Sequence, residues 1–180
     1  MKKNLIILIF IFMLILIPKV NASTDSASSY ILMDETTGRV LLTKDMNSKR
    51  LIASITKIMT STLAIESGKL DEVVEVDDTI SKAYGSGIYI EVGEEITLRD
   101  LLYGLMLRSG NDAAYMIAKF VGGSEEEFVN MMNNKAKELG MKNTIFYNAS
   151  GLPTPHGNYS SVYDMALLTR YAMQYKEYKE

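Results

Sequence analysis

Ser54-Ile55-Thr56-Lys57 sets a hydroxyl and an amine three positions apart. On a helix such a pair shares one face, which brings the lysine stem beside the serine. At a helix start the serine would also sit at the positive end of the dipole, where a developing oxyanion is favoured. A lysine partly buried beside Ile58 and Leu63 would hold its proton less tightly and could act as a base. That is the chemistry of an activated serine nucleophile. The same four residues also read as a capping serine followed by a surface lysine.

Ser109-Gly110-Asn111 is the second candidate. It falls on a short connection between two predicted helices, where side chains can face a cleft. A hydroxyl and a carboxamide two residues apart can relay a proton and hydrogen-bond a substrate amide; helix capping is the plainer use of both residues. Ser-x-x-Lys and Ser-x-Asn each occur once in the chain, in that order. The ordered combination is the pattern of penicillin-recognising serine enzymes.

The elements that must carry these residues are legible in outline. Tyr30 to Asp34 and Arg39 to Leu42, joined through Gly38, read as a hairpin. Apolar spacing predicts a helix from Ala53 to Glu66, stopped by Ser67-Gly68. Val73 to Ile90 reads as small strands and a loop. Thr97 to Asp100 resembles a capping box opening a helix to about Arg108. Further helices are expected from Asp112 to Val121, from Ser124 to Gly140, and after Ser161. Asn148 to Ser160 holds Pro153 and Pro155 and reads as an irregular loop that includes His156. Met106, Met116, Met131 and Met132 read as core packing, and Tyr175 to Glu180 as a solvated helix end.

Composition removes several classes of function. With no Cys among 180 residues, disulfides, Cys-ligated zinc and thiol catalysis are excluded. A single His argues against a Ser-His-Asp triad and against His-cluster metal sites. A formal charge of −3 argues against general nucleic-acid binding. At the N-terminus, Lys2-Lys3, an apolar run from Leu5 to Ile17 and Val20-Asn21-Ala22 describe a secretory signal peptide over residues 1–22. The run falls short of the roughly 20 residues of a spanning helix, although an uncleaved anchor is the alternative. Removing Lys2, Lys3 and Lys19 would take the charge to −6, giving an acidic, exported protein. Residues 23–29 read as a mobile entry segment.

Beyond the two motifs, further blocks carry a resemblance. Tyr30-Ile31-Leu32-Met33-Asp34 precedes Thr37-Gly38-Arg39-Val40-Leu41, and Gly85-Ser86-Gly87-Ile88-Tyr89 precedes Val92-Gly93-Glu94. Arg108 to Ala114, Asn148-Ala149-Ser150-Gly151-Leu152 and Tyr163-Asp164-Met165-Ala166 follow in order. Together they resemble the D-alanyl-D-alanine carboxypeptidases, the low-molecular-mass penicillin-binding proteins, over roughly Tyr30 to Met173. The resemblance implies an α+β fold of the penicillin-binding transpeptidase and serine β-lactamase kind: an antiparallel sheet flanked by helices, plus a helical subdomain carrying Ser109 and Asn111. It implies Ser54 as the acylated nucleophile, its own N–H as one oxyanion donor, and Lys57 as the base. Ser109 would pass the proton to departing D-alanine and Asn111 would hold the peptide backbone. The substrate implied is the D-Ala-D-Ala end of a peptidoglycan stem peptide, mimicked by β-lactams as inhibitors. No metal or organic cofactor is implied.

Two features depart from the family pattern. Its third motif, Lys-Thr-Gly on a later strand that binds the substrate carboxylate, does not occur here. Residues 30–180 are therefore expected to be the N-terminal part of a catalytic domain with an incomplete sheet, membrane association being left to a C-terminal segment. The second departure is Asn158-Tyr159-Ser160, where the resemblance leads one to expect His before the aromatic and hydroxyl pair. Two competing readings stay open. A secreted serine β-lactamase would need a water-activating Glu, yet none lies between Glu138 and Glu177. The other is a non-catalytic relative that binds cell-wall peptides.

Overall fold

The computed structural model describes residues 26–153 and 155–179; the segment read as a signal peptide and the first part of the entry segment lie outside them. In the rest of the entry segment, Arg50 donates to the Ser29 hydroxyl at 2.7 Å and Lys44 to the Ala27 carbonyl at 2.8 Å.

Among the described residues, three two-stranded antiparallel ladders surround a helical core. The first is the expected hairpin, β1 (Tyr30–Met33) with β2 (Val40–Lys44), pairing Leu32 with Leu42. Its turn is held by Asp34, whose carboxylate accepts from the Thr37 N–H and hydroxyl, while Gly38 takes a left-handed φ of 74°. The second joins β3 (Arg50–Leu51) to β6 (Tyr159–Ser160). It fastens the residues just before Ser54 to the end of the proline-containing loop. The third joins β4 (Val73–Glu75) to β5 (Glu95–Thr97), framing the segment between them.

Helix α1 (Lys57–Glu66) is the axis of the fold. It packs against α2 (Leu98–Arg108), α3 (Asn111–Gly122), α4 (Glu125–Glu138) and α5 (Val162–Ala172). Encircled in this way, it needs small and apolar residues on every side. Met59, Leu63, Ala64 and Ile65 are buried, and Thr60, Ser61 and Thr62 satisfy their hydroxyls on backbone carbonyls. The caps are those the sequence announces: Thr97, Ser124 and Ser161 accept from the N–H three residues on.

The structure corrects three readings. The predicted helix from Ala53 is a 3-10 turn over Ala53–Thr56 that passes into α1 at Lys57. Ala53 adopts φ 42°, outside the α-helical region, so regular α geometry cannot begin there. Met106 is exposed, whereas Met116 and Met132 are buried and Met131 packs partly buried against the core. The chain end is not simply solvated. In the last short helix α6 (Lys176–Lys179) Tyr178 packs on the core, and just before it the Tyr175 hydroxyl donates to Glu66 at 3.0 Å.

Candidate active site

Ser54 lies exposed in the 3-10 turn, and Lys57 follows at the first position of α1, only 3% exposed. Lys57 Nζ stands 3.5 Å from Ser54 Oγ, 2.8 Å from Asn111 Oδ1 and 2.7 Å from the Ser150 carbonyl. Three of the four residues singled out in the sequence thus meet at one atom. A neutral amine has two N–H groups and one lone pair. With both N–H groups held by the two carbonyl oxygens, the lone pair is left for the Ser54 hydroxyl. Burial lowers the Lys57 pKa from 10.5 to about 8, with only partial opposition from the Asp112 charge.

Asn111 begins α3 directly after the loop that carries Ser109. Its side chain donates to the Tyr84 carbonyl at 2.6 Å and its backbone N–H donates to Ser86 at 2.8 Å. The carboxamide is therefore oriented at both ends, with its oxygen on Lys57. Ser109 sits half-buried at the end of α2 in a left-handed conformation, φ 55°. That conformation ends the helix and turns the chain into α3 within two residues. No hydrogen bond joins the Ser109 hydroxyl to Ser54 or Lys57, so Ser109 adjoins the cluster without closing it.

The loop expected to be irregular is a hydrogen-bonded scaffold. Asn148 Oδ1 accepts from the N–H groups of Ser150 and Gly151, a turn that presents the Ser150 carbonyl to Lys57. Asn158, 0% exposed, donates to Thr56 Oγ1 at 2.9 Å and to the Asn148 carbonyl at 2.8 Å. Its oxygen accepts from the N–H groups of Tyr147 and Asn148. All four bonding positions of that carboxamide are filled, and they join the loop to the turn that carries Ser54. Thr60 adds a bond to the Ala149 carbonyl at 2.6 Å. Gly151 is required where it stands: at φ 88° a Cβ would lie 2.0 Å from the Ala53 carbonyl oxygen. Asn148, Ser150, Gly151 and Asn158 are the support that motif spacing alone misses. The block Asn148 to Leu152, quoted for the resemblance without a role, and the departure from the family pattern at Asn158 were the signals pointing to it. His156 is exposed in the same loop and tilts against Tyr147.

The chain matches the peptidase S11 family, D-alanyl-D-alanine carboxypeptidase, over residues 18–180. It is 45% identical over 155 residues to D-alanyl-D-alanine carboxypeptidase DacF of Bacillus subtilis, an overlap covering 83% of this chain and 40% of that protein. Against DacD of Escherichia coli the identity is 39%, covering 80% of this chain and again 40% of the relative. This chain thus spans about 40% of the length of these curated relatives. Among solved structures, DacD from Francisella tularensis superposes with a TM-score of 0.78 at 34% identity, over 86% of this chain and 40% of that one. Penicillin binding protein 6B from Escherichia coli gives 0.79 at 36%, over 84% and 51%. The architecture is that of the penicillin-binding proteins, with helices around small antiparallel ladders, and the chain belongs to the D-alanyl-D-alanine carboxypeptidase family.

Proposed function

We propose that this protein removes the terminal D-alanine from peptidoglycan stem peptides through an acyl-enzyme on Ser54, and that β-lactams acylate the same serine. The observation that carries this reading is a buried Lys57 held by two uncharged carbonyl oxygens beside the Ser54 hydroxyl. With its pKa near 8, about one lysine in ten is neutral at pH 7, against about one in three thousand at 10.5. The fold thereby raises the supply of free base about three-hundredfold.

In the forward reaction Lys57 Nζ takes the proton from Ser54 Oγ as the oxygen attacks the carbonyl carbon between the two D-alanines. The tetrahedral intermediate collapses and its C–N bond breaks. The proton passes from Lys57 by way of the Ser109 hydroxyl to the departing amine, leaving an ester on Ser54. Water then attacks the ester, again losing a proton to Lys57, and releases the shortened peptide with Ser54 restored. Asn111, fixed by its bonds to Lys57 and Tyr84, lines the path of the peptide backbone. The basic start and apolar run of residues 1–22 support export to the outer face of the cytoplasmic membrane, where peptidoglycan is built.

Labelling of the full-length protein with a fluorescent penicillin tests the reading. Wild type is labelled and Ser54→Ala is not; equal labelling of the two would sink the assignment.

A further inference from the structure

Beside Ser109, an open cleft of about 300 Å³ is lined by Ser86, Gly87, Tyr89, Leu107 and Arg108. Its two walls belong to separate segments. Leu107 and Arg108 are the last residues of α2 before Ser109, and Leu107 is 78% exposed. Opposite stands Tyr89, 77% exposed and held at φ 61°, a left-handed conformation that residues with a Cβ seldom adopt.

That conformation is enforced by the active-site framework. Asp112 Oδ2 accepts from the Tyr89 N–H at 2.7 Å and from the Ile88 N–H at 3.0 Å. Gly87 permits the close approach, since a Cβ there would lie 2.9 Å from the same oxygen. Ile88 presses against Gly104, where a Cβ would come within 2.7 Å of its Cδ1. With Ile88 drawn inward, the chain turns and leaves the Tyr89 ring outside. The neighbouring residue Asn111 binds the Ser86 and Tyr84 carbonyls. Tyr84 to Tyr89 is therefore in register with the group that holds Lys57, and its fixed backbone carries the exposed Tyr89 ring beside the site.

The wall chemistry selects an occupant. None of the five lining residues is acidic, and Arg108 has no ion-pair partner among the described residues. Asp112 lines the adjoining cavity instead, and its carboxylate is taken up by backbone N–H groups. A guanidinium beside an aromatic ring and a leucine suits a carboxylate on an aliphatic stem. A peptide chain advances about 3.5 Å per residue. Ser86, which lines the cleft, accepts from the N–H of Asn111, whose carboxamide holds Lys57 beside Ser54, so an extended peptide leaving the scissile bond on this side passes toward the cleft.

We propose that this cleft is a substrate subsite for a carboxylate-bearing aliphatic residue of the peptide, upstream of its D-Ala-D-Ala end. The proposal rests on the function proposed above. The test compares two synthetic peptides ending in D-Ala-D-Ala, identical except that one upstream side chain ends in a carboxylate or in its amide. With the full-length enzyme, kcat/KM should favour the acid about fivefold. Arg108→Gln should abolish that preference, and Tyr89→Ala should lower kcat/KM for both peptides. Acylation by benzylpenicillin, which has no upstream peptide, should stay within about twofold of wild type in both variants. Equal use of acid and amide by wild type, or a preference that survives Arg108→Gln, would overturn the subsite while leaving the acylation reading intact. Lost penicillin acylation in these variants would also overturn it, by showing that they act through Ser54. Failure of wild type to react with penicillin would instead remove the underlying function.

Discussion

Replacing Asn111 by Asp exchanges one uncharged acceptor of Lys57 for a charged one with little change in shape. Asn111 Oδ1 is 2.8 Å from Lys57 Nζ, so the new carboxylate would touch the ammonium directly. An opposite charge at that range favours the charged form and moves a pKa by about one to three units. For a lysine the direction is upward, from about 8 to somewhere between about 9 and 11. The neutral fraction at pH 7 would fall about tenfold to a thousandfold. The measurement is the second-order rate of acylation of the full-length protein by a fluorescent penicillin, followed from pH 6 to 11. In wild type the rate should climb with pH and level off above about pH 8; in Asn111→Asp the climb should move up by at least about one pH unit. The plateau should also drop, because the carboxylate cannot donate to the Tyr84 carbonyl as Asn111 does. Position and height therefore report different bonds. A variant that is slower by one constant factor at every pH, with the climb unmoved, would refute Lys57 as the base.

Four other substitutions probe that lysine and the support around it. Gly151→Ala should drive the Ala53–Ser54 peptide out of place, because the added methyl meets the Ala53 oxygen at 2.0 Å; acylation should fall about a hundredfold or more, while far-UV circular dichroism stays native. Asn158→Ala strips buried partners from Thr56, Tyr147 and Asn148, and should lower the unfolding free energy in urea by about 3 kcal/mol, with Thr56→Val costing about 1. Lys57→Met should abolish acylation and also expose the cost of burying the amine. Since Lys57 binds its proton less tightly folded than unfolded, wild type carries a penalty of about 3 kcal/mol below pH 8 that fades by pH 10.5. The stability of the variant relative to wild type should therefore decline by about that amount between those two pH values; a pH-independent difference would show that Lys57 is not held in the low-pKa state.

Side chains that touch the reacting serine were legible in the sequence because chemistry restricts their type and spacing. Ser54, Lys57 and Asn111 were found in this way, and the capped starts of α2, α4 and α5 by local rules. What escaped was the backbone. The Ser150 carbonyl that holds Lys57 comes from a segment 93 residues away, and a carbonyl carries no residue signature. The 3-10 turn at Ser54 escaped for a related reason. Ala53 has strong helix propensity, yet it takes φ 42° where its carbonyl lies close against Gly151, a tertiary approach that no local rule announces. Asn158 was visible only as a departure from an expected His, and its place between Thr56 and Asn148 became clear once the loop was seen folded.

Two lysines in this molecule show how the surroundings set the chemistry of one residue type. Lys135 lies against the Glu66 and Glu138 carboxylates, at 2.9 Å each, and its pKa is raised despite the opposing effect of burial. It joins α4 to the end of α1 as a permanent cation. Lys57 is more deeply buried than the partly buried Lys135, both of its close acceptors are uncharged, and its pKa falls. The nearest acid, Asp112, is directed instead to the N–H groups of Ile88, Tyr89 and Ala113. Its charge raises the Lys57 pKa, against the larger lowering effect of burial. The bonds to these N–H groups also fix Tyr89 at the rim. One carboxylate, placed one residue beyond Asn111 and bonded to backbone N–H groups, thus opposes the lowering of the Lys57 pKa only in part and fixes the backbone of the wall beside Ser109. Adding a second carboxylate one residue back, as Asn111→Asp does, would bring the environment of Lys57 close to that of Lys135.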